Sequence, residues 1–96
     1  MRPFDSAKIY ITKGISSAMN DSSLFGREVI TSISRFKRLD YGETSPEDII
    51  VNNDALNHKD RVIGVYCTSE TNIWIIAESE DGNEYTVLTV LLPDEY

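Results

Sequence analysis

The chain has 96 residues, of which 41% are hydrophobic, and its nine Lys/Arg against sixteen Asp/Glu give a net charge of −7. That length holds one domain spanning residues 1–96, and a mean hydropathy of −0.27 with apolar runs no longer than 73–77 excludes a membrane-spanning helix. The charge is split along the chain: residues 1–38 carry seven bases and three acids (+4), and residues 39–96 carry two bases and thirteen acids (−11), an excess that repels nucleic acid and attracts basic partners.

The opening Met-Arg-Pro-Phe-Asp-Ser has no apolar stretch after it and does not read as a signal peptide. Residues 7–12 alternate, with Ile9 and Ile11 on one side and Tyr10 on the other, which predicts a first strand ended by Lys13-Gly14. Residues 15–19 have room for a single helical turn before Asn20-Asp21-Ser22-Ser23 breaks the pattern, and Asp21 or Ser22 is the expected N-cap of the next element. Between 23 and 39, the three-and-four spacing of Leu24, Phe25, Val29, Ile30, Ile33, Phe36 and Leu39 predicts an amphipathic helix. Arg35, Lys37 and Arg38 fall in its last turn, where the helix dipole favours cations.

Asp40-Tyr41-Gly42-Glu43 reads as a turn. Ser45-Pro46-Glu47-Asp48 then has an N-cap Ser, a first-position Pro and first-turn acids, so a second helix is expected to about Asn57. Ile49, Ile50 and Leu56 would be buried, and Asn52-Asn53-Asp54 would weaken it. Residues 61–68, 72–78 and 84–92 are rich in Val, Ile, Tyr, Thr and Trp and read as strands, with Asp81-Gly82 as a hairpin turn. The predicted fold is α+β, in the order β-α-α-β-β-β, with a C-terminal antiparallel meander packed on two helices. Its strands are apolar on both faces, so either the sheet is covered on both sides or one face serves a homodimer or partner.

No catalytic residue is predicted. His58 stands alone at a helix end, and Cys67, the only cysteine, lies in an apolar run where core packing is its expected role. A lone cysteine forms no internal disulfide and fits a reducing cytoplasm. Glu78, Glu80, Asp81 and Glu84 surround one hairpin, but their spacing does not match a calcium loop, so a solvated acidic tip is expected and no metal. The glycines are isolated, which excludes a phosphate-binding loop, and no cofactor is predicted.

Two charged sets remain. Arg35, Lys37 and Arg38 can touch phosphate or pair with the acidic half of the same chain. Asp40, Glu43, Glu47, Asp48 and Asp54, together with the hairpin acids Glu78, Glu80, Asp81 and Glu84, either keep the protein soluble or imitate duplex phosphates toward a basic channel. Tyr41, Trp74 and Tyr96 are candidate aromatic anchors, although core packing suits Trp74 better.

The segments 9–15, 40–43, 53–56, 61–66 and 73–78, with the tail Leu91-Leu92-Pro93-Asp94-Glu95-Tyr96, together resemble short proteins carried by plasmids and phages of Gram-positive bacteria. The resemblance spans most of the chain, and 79–84 is longer than that pattern leads one to expect. It transfers no catalytic residue. It implies a mobile-element setting in the cytoplasm of a bacterial host cell, where small acidic proteins often block CRISPR or restriction nucleases. The function expected is therefore a non-enzymatic acidic inhibitor of a defence nuclease. The alternative is a small self-associating regulatory module that touches nucleic acid through Arg35, Lys37 and Arg38.

Overall fold

The computed structural model describes residues 2–96. In chain order it contains β1 (Lys8–Ile11), α1 (Lys13–Asp21), α2 (Ser23–Lys37), α3 (Pro46–His58), β2 (Val62–Tyr66), β3 (Ile73–Glu78), β4 (Val87–Leu91) and a 3-10 turn, Pro93–Glu95. The fold is α+β, with three helices on a mixed four-stranded sheet ordered β1-β4-β3-β2. β2, β3 and β4 form the expected antiparallel meander, while β1 joins it in parallel, Ile9 opposite Leu88 and Ile11 opposite Val90. No helix is long and apolar enough to cross a membrane among the described residues.

The third helix is a difference from the sequence reading. Residues expected to give one turn form α1, nine residues long, because Thr12 leaves the strand and caps it, its hydroxyl accepting from the Ile15 N–H. Ser22 caps α2 by accepting from Phe25 N–H, and Ser45 caps α3 by accepting from Asp48 N–H.

The core stripe of α2 is Phe25, Val29, Ser32 and Phe36, one face of a 3.6-residue period. Leu24, Ile30 and Leu39, expected in that stripe, are exposed. Ser32 is tolerated inside because its hydroxyl donates to the Glu28 carbonyl. The stripe packs against the face of the sheet formed by Val62, Tyr66, Ile73, Ile75, Ala77, Leu88 and Val90, with Phe4 stacked on Phe36 at 4.7 Å. Each fully buried Phe contributes about 2–3 kcal/mol.

The opposite face of the sheet carries Ile63, Val65, Trp74, Ile76 and Leu91 and has no helix over it. The C-terminus lies there instead, with the Tyr96 ring 5.1 Å from Trp74 and its hydroxyl accepting from Arg61 (2.6 Å). Cys67, expected in the core, is exposed just beyond β2.

The two edges of the sheet differ. On the β2 edge, Asn52 of α3 donates through Nδ2 to the Ile63 carbonyl (2.9 Å) and accepts from its N–H (3.2 Å). The next outward residue, Val65, donates to the Tyr41 carbonyl and accepts from Glu43 N–H. Gly42, at φ 67°, lets the chain approach this edge. The β1 edge has no comparable cover, and all four of its residues are exposed.

Candidate functional site

The predicted acids do not form one free surface. Asp40 receives a two-pronged contact from Arg35, Nε to Oδ2 at 2.9 Å and Nη2 to Oδ1 at 3.2 Å. This charge-assisted bond, with a further one from Gly42 N–H, holds the Asp40 carboxyl below its ordinary value. Glu78 faces Arg61 at 3.5 Å. Asp81 is occupied by its own loop, accepting from the N–H groups of Asn83 and Glu84, which lowers its pKa, and from the Ser79 hydroxyl. These three acids stay on the surface, Asp40 and Glu78 each facing one cation and Asp81 bonded within its own loop. Arg35, of the basic set, is correspondingly paired with Asp40. Lys37 and Arg38 make no ion pair among the described residues.

Glu43, Glu47, Asp48, Asp54, Glu80 and Glu84 are exposed as well. Three of these, Glu47, Asp48 and Asp54, lie on α3, where Asp54 faces His58 at 3.9 Å, an ion pair only when the imidazole is protonated. Of the hairpin acids, Glu84 shares a surface pocket with Lys59, just past the C-terminal end of the same helix. Tyr85 joins the two regions, its hydroxyl donating to the Asp60 carbonyl at 2.6 Å. Burial pushes the Tyr85 phenol up to about 12, so it remains a neutral donor at physiological pH.

Helix α3 buries Asn52 and Ala55, packs Ile49 and Leu56 partly against the core, and turns its other residues outward. Ile50, predicted to be buried, is 70% exposed, and Val51 is 62% exposed. Both are flanked by Glu47, Asp48 and Asp54. The sequence contained this signal: three successive apolar residues, Ile49-Ile50-Val51, project about 100° apart on a helix and cannot all face one core. Only Ile49 packs inward.

Val51 also borders an open groove of about 290 Å³ between α3 and the outer face of the sheet. Ile63, Val65 and Trp74 form its floor and Thr44, Asp48 and Arg61 stand on its walls. Trp74 is thus half-buried beside the groove, held by Tyr96 on one side. Tyr41, the other proposed anchor, is buried against Phe36 and is unavailable to a partner. Tyr96 is exposed.

The surface as a whole is an apolar patch bordered by carboxylates. Among the described residues, no three His, Cys, Asp or Glu side chains converge as a metal site would require. Comparison with protein families, curated proteins and solved structures found no match to this chain.

Proposed function

We propose that this chain is a non-enzymatic binding protein that acts in the bacterial cytoplasm. It presents the outer surface of α3 to a basic, nucleic-acid-binding region of a defence nuclease of CRISPR or restriction type. The observation that carries the reading is the pair Ile50 and Val51, exposed at mid-helix between Glu47, Asp48 and Asp54 and continuous with the Trp74 groove. Stability gives no reason to leave two aliphatic side chains in water, whereas a partner that covers them does. The carboxylates steer a cationic surface toward the patch and compete there with nucleic acid for the same cations. The nuclease as target class comes from the resemblance to mobile-element proteins; the basic, apolar-centred contact comes from the helix itself. Direct nucleic-acid contact is less favoured, since Asp40 already holds Arg35.

The test is affinity capture from host cells followed by nuclease assays on the retained protein. Wild-type chain is expected to inhibit that activity, with inhibition weakening as salt rises. Ile50→Asp and the double change Glu47→Lys with Asp48→Lys should each remove inhibition without changing the thermal midpoint by more than a few degrees. Inhibition that survives both changes in correctly folded protein overturns the proposal.

A further inference from the structure

The open β1 edge bears on self-association, independently of the proposed partner. A parallel ladder engages alternate residues of a strand. On β1 the inward donors are Lys8, to the Thr86 carbonyl at 2.9 Å, and Thr12, to the Val90 carbonyl at 3.1 Å. The N–H and C=O groups of Ile9 and Ile11 therefore point away from the sheet. No hydrogen bond from any described residue reaches them. Their side chains, on the helix-facing side of the sheet, are 40% and 41% exposed, and Tyr10 on the other side is 54% exposed. Sheet proteins usually protect such an edge with proline, a bulge, a covering segment or charge. This chain covers its β2 edge closely with Asn52, Tyr41 and Glu43, whereas the four-residue β1 has no covering segment, proline or bulge and a single charge, Lys8, at its start.

We infer that β1 is a homodimer interface, in which β1 of a second copy pairs with it in antiparallel register about a two-fold axis at Tyr10. The sequence of the strand is self-complementary in that register. Ile9 falls opposite the partner copy's Ile11, and each such pair exchanges both of its free backbone hydrogen bonds. The four isoleucines then cover one another on the helix side. The two Tyr10 side chains meet at the axis as a non-hydrogen-bonded pair, the closer of the two antiparallel spacings.

Charge complementarity supports the same register. Lys8 falls opposite Thr12 of the second copy, on the outer side of the sheet. The Thr12 hydroxyl donates to Glu95 Oε1 at 2.6 Å, and the Glu95 carboxylate also accepts from Gly14 N–H at 3.1 Å. Lys8 of each copy therefore faces a fixed carboxylate of the other, and no like charges are brought opposite one another in the strand. The result is one continuous sheet through both copies, with the α3 surfaces at its two far edges and free for partners.

Light scattering across a concentration series should show the mass rise from 10.9 kDa toward twice that value. Lys8→Glu should weaken dimerisation at least tenfold and Ile9→Pro should abolish it. Ile9→Pro removes an outward N–H and no intrachain ladder bond. A positional test does not depend on those variants folding well. In a Cys67→Ser background, Tyr10→Cys should form a disulfide dimer rapidly under mild oxidation, because the paired positions lie about 4.5 Å apart. Lys8→Cys should crosslink at least tenfold more slowly, its two copies being about 13 Å apart along the strands. A chain that stays monomeric at millimolar concentration, or Tyr10→Cys crosslinking no faster than Lys8→Cys, overturns the inference.

Discussion

Replacing Asn52 with Ala tests how α3, and with it the candidate surface, is attached to the sheet. Asn52 is 5% exposed and makes both of its contacts to one backbone residue, Ile63. Each of these bonds contributes about 1 kcal/mol net. Alanine returns about 0.5 kcal/mol through its higher helix propensity. The adjoining groove lets water reach the stranded Ile63 groups, so the full penalty for buried unsatisfied atoms does not apply. The expected loss is about 1.5–2 kcal/mol, or roughly 10 °C in thermal midpoint for a domain of this size. Asn52→Asp should be at least as damaging, since it keeps the acceptor for Ile63 N–H but sets a carboxylate oxygen against the Ile63 carbonyl. Urea denaturation followed by circular dichroism gives the free energies, and amide exchange at Ile63 gives the local effect. If Asn52→Ala lies within about 0.5 kcal/mol of wild type and Ile63 exchange is unchanged, α3 is held by its apolar contacts alone and the clamp argument is wrong.

The two glycines at positive φ should respond differently to alanine. At Gly42 a Cβ would run into the Val65 carbonyl and the Tyr66 ring, so Gly42→Ala should cost about 3 kcal/mol or more; at Gly82 nothing lies within 4 Å, so only the left-handed backbone penalty of about 1 kcal/mol applies. Comparable denaturation midpoints for the two variants would refute this. Acid should destabilise the fold through carboxyls held below their ordinary values. Asp40 is lowered chiefly by the Arg35 hydrogen bond, Asp81 by backbone N–H groups, and Glu95 first by the Thr12 hydroxyl. The unfolded chain takes up their protons first, near 3.8 for Asp and 4.5 for Glu. The stabilisation is therefore complete above that range and lost as pH falls through the lower folded values. Thermal midpoints measured downward from about pH 6 should hold level and then drop below it, and Asp40→Asn should make the drop shallower; a flat profile would contradict the assignment. Ile50→Ala should leave stability within about 0.5 kcal/mol of wild type, as expected for an exposed side chain, and a larger loss would mean that Ile50 packs within the fold.

The parts of the fold legible in the sequence are those set by local pattern. Ser22 and Ser45 announce α2 and α3, and Val-Ile-Gly-Val-Tyr, Ile-Trp-Ile-Ile-Ala and Val-Leu-Thr-Val-Leu mark the meander. α1 was hidden because its inward residues, Ile15, Ala18 and Met19, are few, and because Thr12 looks like a strand residue until its hydroxyl is seen to cap a helix. The parallel pairing of β1 with β4 joins positions nearly eighty residues apart, which no local pattern encodes. Asn52 shows the same limit from the other side. It reads as a weak point in a helix, yet it ties that helix to a strand eleven residues away. The acids were legible as a group, but their local contacts were not, since only the fold brings Arg35 to Asp40, Arg61 to Glu78 and the loop N–H groups to Asp81.

That sorting changes what the proposed interaction requires. A decoy made of charge alone would depend on the number of carboxylates, and two of the expected ones, Asp40 and Glu78, already face a cation within the fold. The acids left on α3 surround Ile50 and Val51, and the two components act at different stages of binding. Long-range charge raises the encounter rate and is screened by salt, whereas desolvated apolar contact slows dissociation and is not. In the proposed complex, the carboxylates bring a basic surface to α3, and the aliphatic pair with the Trp74 groove retains it. The charge split along the chain is then a source of steering, and the specificity resides in the short apolar interruption of the acidic helix.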